Sequence, residues 1–140
     1  MDNVIVKEER KLEVEIDIHI KGYEIDVMGI VSNINYLKYF EDIRTEFLER
    51  YYPFDEMMKI GISPILMHSD VDYKVPLTIF DKPKGYSWVT RMDRMRWEFN
   101  FEIKTGDTIN ATGVQSGTFY NMERKRPVPI PERLKKLWIE

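Results

Sequence analysis

The sequence contains no cysteine, which removes disulfide staples, thiolate nucleophiles, iron–sulfur clusters and cysteine zinc sites together. Positive charge is not in surplus either: 21 Lys and Arg face 24 Asp and Glu, a net charge of -3. No basic field is available to grip a nucleic-acid backbone, so a nucleic-acid partner is not expected. Long hydrophobic runs are missing too, since the longest nearly apolar stretch, Ile60 to Met67, is broken by Gly61, Ser63 and Pro64. The opening Met1-Asp2-Asn3 has no basic region followed by an apolar one. These features lead us to expect a cytoplasmic protein with no membrane partner. Glycine patterns that cradle phosphates, G-x-G-x-x-G and G-x-x-x-x-G-K-[ST], do not occur. In Gly113-Val114-Gln115-Ser116-Gly117 the serine stands one place late for the G-x-S-x-G nucleophile elbow.

What remains is a chain of 140 residues, 43% hydrophobic, with seven glycines and seven prolines. That size suits a single domain over residues 1–140 with one core. Aromatic residues make up 13% of it, enough to furnish sheet faces or a subunit interface, so we expect an oligomer.

Periodicity gives the layout. From Glu13 to Lys21 apolar and polar residues alternate strictly, with Val14, Ile16, Ile18 and Ile20 on one face, as in a half-buried strand. Between Ser32 and Tyr52 the spacing changes to three and four, through Tyr36, Leu37, Phe40, Ile43, Phe47, Leu48 and Tyr51, and Pro53 stops it. This predicts a long helix wrapped by protein, with Ser32 or Asn33 supplying the capping oxygen. A short helix over Asp55 to Lys59, closed by Gly61, follows. Period two returns in Ile65 to Lys74 and in Met95 to Lys104, and Ser87 to Met92 is expected to be another strand although Trp88, Val89 and Met92 do not alternate cleanly. Thr105-Gly106-Asp107 then signals a hairpin into a strand through Ile109 to Tyr120, and a tight turn is expected near Asp93 to Arg96. Pro127, Pro129 and Pro131 should end the sheet in an extended stretch, before a short terminal helix carrying Leu134, Leu137 and Trp138. One strand, one long helix and about four antiparallel strands make an α+β fold, satisfied by a sheet curled around the helix.

Two places could carry chemistry. His68, Asp70 and Asp72 would project from one strand face, a set able to hold a metal. Strand alternation alone produces the same pattern on a solvated face, so no metal is expected. The second place is the run Tyr23 to Asn33 ahead of the long helix. Here a carboxylate, Asp26, is followed by Gly29, which allows a close turn, and by amides from Gly29 to Val31 near a helix start. Such amides can hold a developing oxyanion while Asp26 attacks a carbonyl or activates a water. The same residues could equally do no more than cap and turn a loop.

The spacing Asp26-x-x-Gly29-x-Val31-x-Asn33-x-x-Tyr36-x-x-Tyr39-Phe40-Glu41-x-x-Arg44 resembles the signature of the 4-hydroxybenzoyl-CoA thioesterase group of hotdog-fold acyl-CoA thioesterases. Tyr73-x-x-Pro76, Ala111-x-Gly113, Arg126-Pro127 and Ile130-Pro131 follow in the order that group shows. The resemblance implies a hotdog fold that hydrolyses an acyl-CoA thioester to free acid and CoA, with no cofactor beyond the coenzyme A of the substrate. It implies Asp26 as nucleophile or general base, amides of Gly29, Ile30 and Val31 against the carbonyl, and Asn33 and Tyr36 shaping the wall. It also implies a homodimer or homotetramer with the thioester at the subunit interface. Arg91, Arg94 and Arg96, with Arg124, Lys125 and Arg126, are the bases available for CoA phosphates. An acyl carrier protein in place of CoA, or a module that binds acyl-CoA without turnover, remains an alternative. A hotdog dehydratase is disfavoured, because the helix Ser32 to Tyr52 shows no hydratase residue set. The chain departs from the group in having Ile30 and Ser32 where a histidine is common, Gly22 where an aromatic is usual, and no Gly-Asp pair between Ile79 and Gly85.

Overall fold

A computed structural model describes residues 9–140; the opening Met1-Asp2-Asn3 lies outside the described residues. The elements are β1 (Val14–Asp17), α1 (Ile34–Tyr51), α2 (Phe54–Lys59), β2 (Ile62–Tyr73), β3 (Lys84–Met92), β4 (Trp97–Thr105), β5 (Thr108–Asn121), β6 (Arg126–Val128) and α3 (Glu132–Ile139). The strands form one sheet in the order β1-β3-β4-β5-β2, and every pairing is antiparallel. It curls around α1 as the α+β hotdog fold requires. No helix among the described residues is long and apolar enough to cross a membrane.

Helix α1 packs its apolar stripe, Tyr36, Tyr39, Phe40, Ile43 and Phe47, onto the concave sheet face carrying Val89, Phe99, Phe101, Ile103 and Ala111. Phe40 stacks on Phe101 with centroids 4.5 Å apart, and Phe47 meets Phe99 edge-on at 4.8 Å. Each fully buried phenylalanine contributes roughly 1.5–3 kcal/mol. The close approach depends on Gly113 in β5, where a Cβ would meet the Phe40 ring, its Cζ at 2.6 Å, and lie 3.1 Å from the Asp70 carbonyl.

Several boundaries differ from the sequence expectation. The first strand pairs only over Val14–Asp17, because its partner β3 starts at Lys84 and the next position is Pro83, which has no N–H to continue the ladder. Ile18 still donates to the Pro83 carbonyl at 3.0 Å and stays buried, so alternation outlasts pairing. Strand β2 starts at Ile62 and accommodates Pro64, which an edge strand can do. The proline-rich stretch does not simply leave the sheet: Arg126–Val128 pairs with Phe119–Asn121 of β5, just beyond the point where β4 begins. The tight turn at Asp93 is present, with Met95 and Arg96 amides on Asp93 Oδ1 at 3.1 and 2.9 Å.

Gly113→Ala should destabilise the protein by about 1–3 kcal/mol, since the stacked Phe40 ring has nowhere to move. Gly22→Ala, with no atom within 4 Å of its added Cβ, should leave the urea unfolding midpoint unchanged. Equal midpoints for the two variants would show that the helix does not rest on Gly113.

Candidate active site

The loop before α1 is built almost wholly from short-range hydrogen bonds. A single 3-10 turn over Gly22–Glu24 leads into it, and Ile25 bridges Val31 across its base. The Asp26 amide donates to the Ile30 carbonyl at 2.8 Å, and the Gly29 amide to the Asp26 carbonyl at 3.0 Å. Gly29 sits at φ +80°, in the left-handed region that a side chain opposes, which is why glycine stands there. Asp26 Oδ1 accepts the Met28 amide at 2.8 Å and the Ile30 amide at 3.4 Å. Its Oδ2 has no partner among the described residues. The carboxylate therefore has one oxygen fixed by its own loop and one open.

Beside the loop is a cleft of about 210 Å³ lined by Ile30, Val31, Asn33, Tyr36, Tyr73, Lys74, Val75 and Pro76. The Tyr73 hydroxyl donates to the Asn33 carbonyl at 3.3 Å, and its ring meets Tyr36 edge-on at 5.1 Å. Burial, then the neighbouring Tyr73, raises the Tyr36 phenol above its ordinary value, so it stays protonated at neutral pH. Below the cleft Glu24 is buried, its Oε1 accepting the Tyr39 hydroxyl at 2.8 Å and the Lys21 amide at 2.9 Å. Burial, reinforced by the hydrogen bond to Glu24, pushes the Tyr39 phenol well up and keeps it a neutral donor.

The structure brings Asp26, Ile30, Val31, Asn33 and Tyr36 to one place, with Gly29 in the turn between. It changes the donors. The Gly29 amide serves the Asp26 carbonyl, the Ile30 amide serves Asp26 Oδ1, and the Val31 amide serves the Leu77 carbonyl at 2.8 Å. None of the three is free to hold an oxyanion. The amides of Asn33 and Ile34 donate to no acceptor among the described residues, as expected of a helix start. Asn33 occupies the cap position but has helical backbone angles and makes no side-chain cap, because the Asn35 and Tyr36 amides that it would cap already bond to the Ser32 and Asn33 carbonyls.

The expected phosphate bases are not at the mouth of this cleft within one chain. The cleft lies at the Tyr73 end of β2, which faces Ala111 of β5 and, through it, Ile103 of β4. Arg91, Arg94 and Arg96 surround the far turn of β4, six residues or about 20 Å away along the strand. Arg124, Lys125 and Arg126 lie past Asn121, ten residues along β5 from Ala111, or about 33 Å. Arg91 also pairs with Asp93 at 2.6 Å, and its guanidinium holds the Asp93 carboxyl below the usual carboxylate range. The base that does line the cleft is Lys74, which the sequence reading passed over; its place beside Tyr73 was the only signal. His68 Nε2 pairs with Asp70 Oδ2 at 2.9 Å on the exposed edge strand, and no cluster of three metal-ligating groups forms among the described residues.

Comparison with known proteins agrees with the fold and places the chain in a family. A family model described as the thioesterase-like superfamily matches residues 21–137. A curated protein of Aquifex aeolicus named "Putative esterase" is 31% identical over 85 residues, 60% of this chain and 66% of that protein, just under two thirds of its length. The crystal structure of a hypothetical protein from Aquifex aeolicus superposes with a TM-score of 0.82 at 25% identity, covering 89% of this chain and 98% of that one. DHNA-CoA thioesterase from Staphylococcus aureus superposes with a TM-score of 0.83 at 22% identity, over 91% of each chain. With the family match spanning most of the described residues, the chain belongs to the thioesterase-like superfamily.

Proposed function

We propose that this protein hydrolyses an acyl-CoA thioester in the cleft beside α1, with Asp26 as the reacting carboxylate and the Asn33 and Ile34 amides as oxyanion donors. The observation that carries this reading is the state of Asp26: Oδ1 tied by two amides, Oδ2 open, next to a cleft bordered by unengaged helix-start amides. Acting as a base, Oδ2 takes a proton from water, the hydroxide adds to the carbonyl carbon, and collapse expels the CoA thiolate, which takes up a proton. Acting as a nucleophile, Oδ2 adds to the same carbon and expels the thiolate, and water then cleaves the acyl anhydride. Both routes place negative charge on the carbonyl oxygen, where two amides at a helix N-terminus stabilise it. Tyr36 and Tyr73 wall the acyl group, Ile30 and Val31 line it, and Gly29 shapes the turn. Aromatic walls suit an aromatic acyl chain, and structures of the same fold carry the names of gentisyl-CoA and 1,4-dihydroxy-2-naphthoyl-CoA thioesterases.

The working unit on this reading is at least a dimer. Strand β2 is twelve residues long and bonded only to β5, leaving its other edge open among the described residues. An open edge of that length is a template for pairing with a second copy. Antiparallel two-fold pairing would lay the Ile62 end of β2 beside the partner's Tyr73 end. That would carry Arg91, Arg94, Arg96, Arg124 and Lys125 of one copy toward the cleft of the other, where CoA phosphates could meet them.

Free-thiol release should be measured over short, long and aromatic acyl-CoAs with wild type and Asp26→Asn. The variant keeps an acceptor oxygen for both loop amides, so fold and oligomer persist while kcat falls about 10²–10⁴-fold. Turnover indifferent to Asp26 would overturn the mechanism, tight acyl-CoA binding without turnover would indicate a binding module, and a strong preference for acyl carrier protein would replace CoA as the carrier. Sedimentation at micromolar concentration should show a dimer or larger; a monomer that hydrolyses acyl-CoA at full rate would dismiss the phosphate role of the distant bases.

A further inference from the structure

The loop that carries Asp26 packs only at its base, through Ile25 and Val31. Val27 is fully exposed and Met28 is 79% exposed, so its tip buries nothing in this chain. It joins the body at a neck formed by Glu24 on one side and Ser32 on the other, where the Ser32 amide donates to the Glu24 carbonyl at 2.9 Å. Asn35, in the first turn of α1 and only 3% exposed, bridges that neck. Its Nδ2 donates to the Glu24 carbonyl at 3.1 Å and to the Ser32 carbonyl at 3.2 Å, one amide hydrogen to each side. One helical turn later Tyr39 reaches the Glu24 side chain, so two residues at i and i+4 of α1 grip the same point.

We propose that Asn35 is a positioning residue of the active site: by tying both sides of the neck to α1, it fixes Asp26, two residues beyond Glu24, relative to the open amides of Asn33 and Ile34. Its role as an active-site residue rests on the thioesterase reading above; its effect on the loop does not. The geometry separates this role from ordinary core filling. A buried asparagine needs partners for its amide, and any nearby carbonyls would satisfy it. Here both acceptors belong to the two ends of one exposed loop, with the reacting carboxylate just inside one end and its oxyanion donors just beyond the other. Asn35 lines no part of the cleft, so substrate affinity need not pass through it. A carboxylate misplaced by about 1 Å can lower a rate about 100-fold with little change in binding.

The test compares Asn35→Ala with Glu24→Gln, which keeps an acceptor oxygen for both Tyr39 and the Lys21 amide. Asn35→Ala should lower kcat about 10- to 100-fold with KM within about threefold. Amide hydrogen exchange across residues 25–32 should speed up about tenfold while β3, β4 and β5 keep their protection. Glu24→Gln should stay within about threefold of wild type in both readouts. Unchanged kcat, an equal loss in every strand, or a rise in KM alone would overturn the assignment. If Asn35→Ala does not fold, Tyr39→Phe, which deletes one hydroxyl on the same neck, should show the same selective loosening, and its absence would count against the proposal. If wild type hydrolyses no thioester, the functional reading falls by itself. Exchange then decides alone, and a loop no faster in Asn35→Ala than in wild type would refute the positioning role.

Discussion

The stack of Phe40 on Phe101, made possible by the missing side chain at Gly113, sets the distance from α1 to the sheet. The cleft depends on that distance. With the helix seated, Tyr36 meets Tyr73 from the edge strand, Val31 reaches the Leu77 carbonyl, and Asn33 at the start of α1 lines the space between. A helix held farther out would separate the wall on β2 from the start of α1, so the geometry of the cleft is inherited from an aromatic contact that lies outside its lining.

The candidate site draws on two kinds of order. One is local: residues 24 to 36 form a self-bonded unit whose turns, bridge and buried asparagine follow one another in sequence. The other is tertiary, because Tyr73, Lys74, Val75 and Pro76 arrive only through the pairing of β2 with β5. Between them sits Glu24, a buried carboxylate with no cation in hydrogen-bond contact among the described residues. Such a group is costly to bury and is tolerated here through a neutral phenol and a backbone amide.

What the sequence showed follows the same division. Periodicity displayed α1 and most strands because burial on one face leaves a regular trace in Phe40, Ile43 and Phe47 or in Trp97, Phe99 and Phe101. The spacing from Asp26 to Tyr36 identified the loop that borders the cleft. It could not show which amides would be open, since that depends on carbonyls such as Leu77 coming from 46 residues away to take Val31. The distance of the arginines from the cleft within one chain was hidden for a related reason: composition counts charges, but strand register decides at which end of a sheet they stand. The early end of β1 was hidden likewise, because the proline that stops it stands just before the neighbouring strand.

The position of α1 in the chain has a consequence for synthesis. Its aromatic face is complete once Phe47 has been made, yet the strands that cover it extend to Phe119, and Val14 in β1 must wait for Ser87. At ribosomal rates of about 5–20 residues per second, that face stays uncovered for roughly 4–14 s. The same rings that hold the finished cleft open are therefore, during translation, the surface on which a nascent chain would aggregate or a chaperone would take hold.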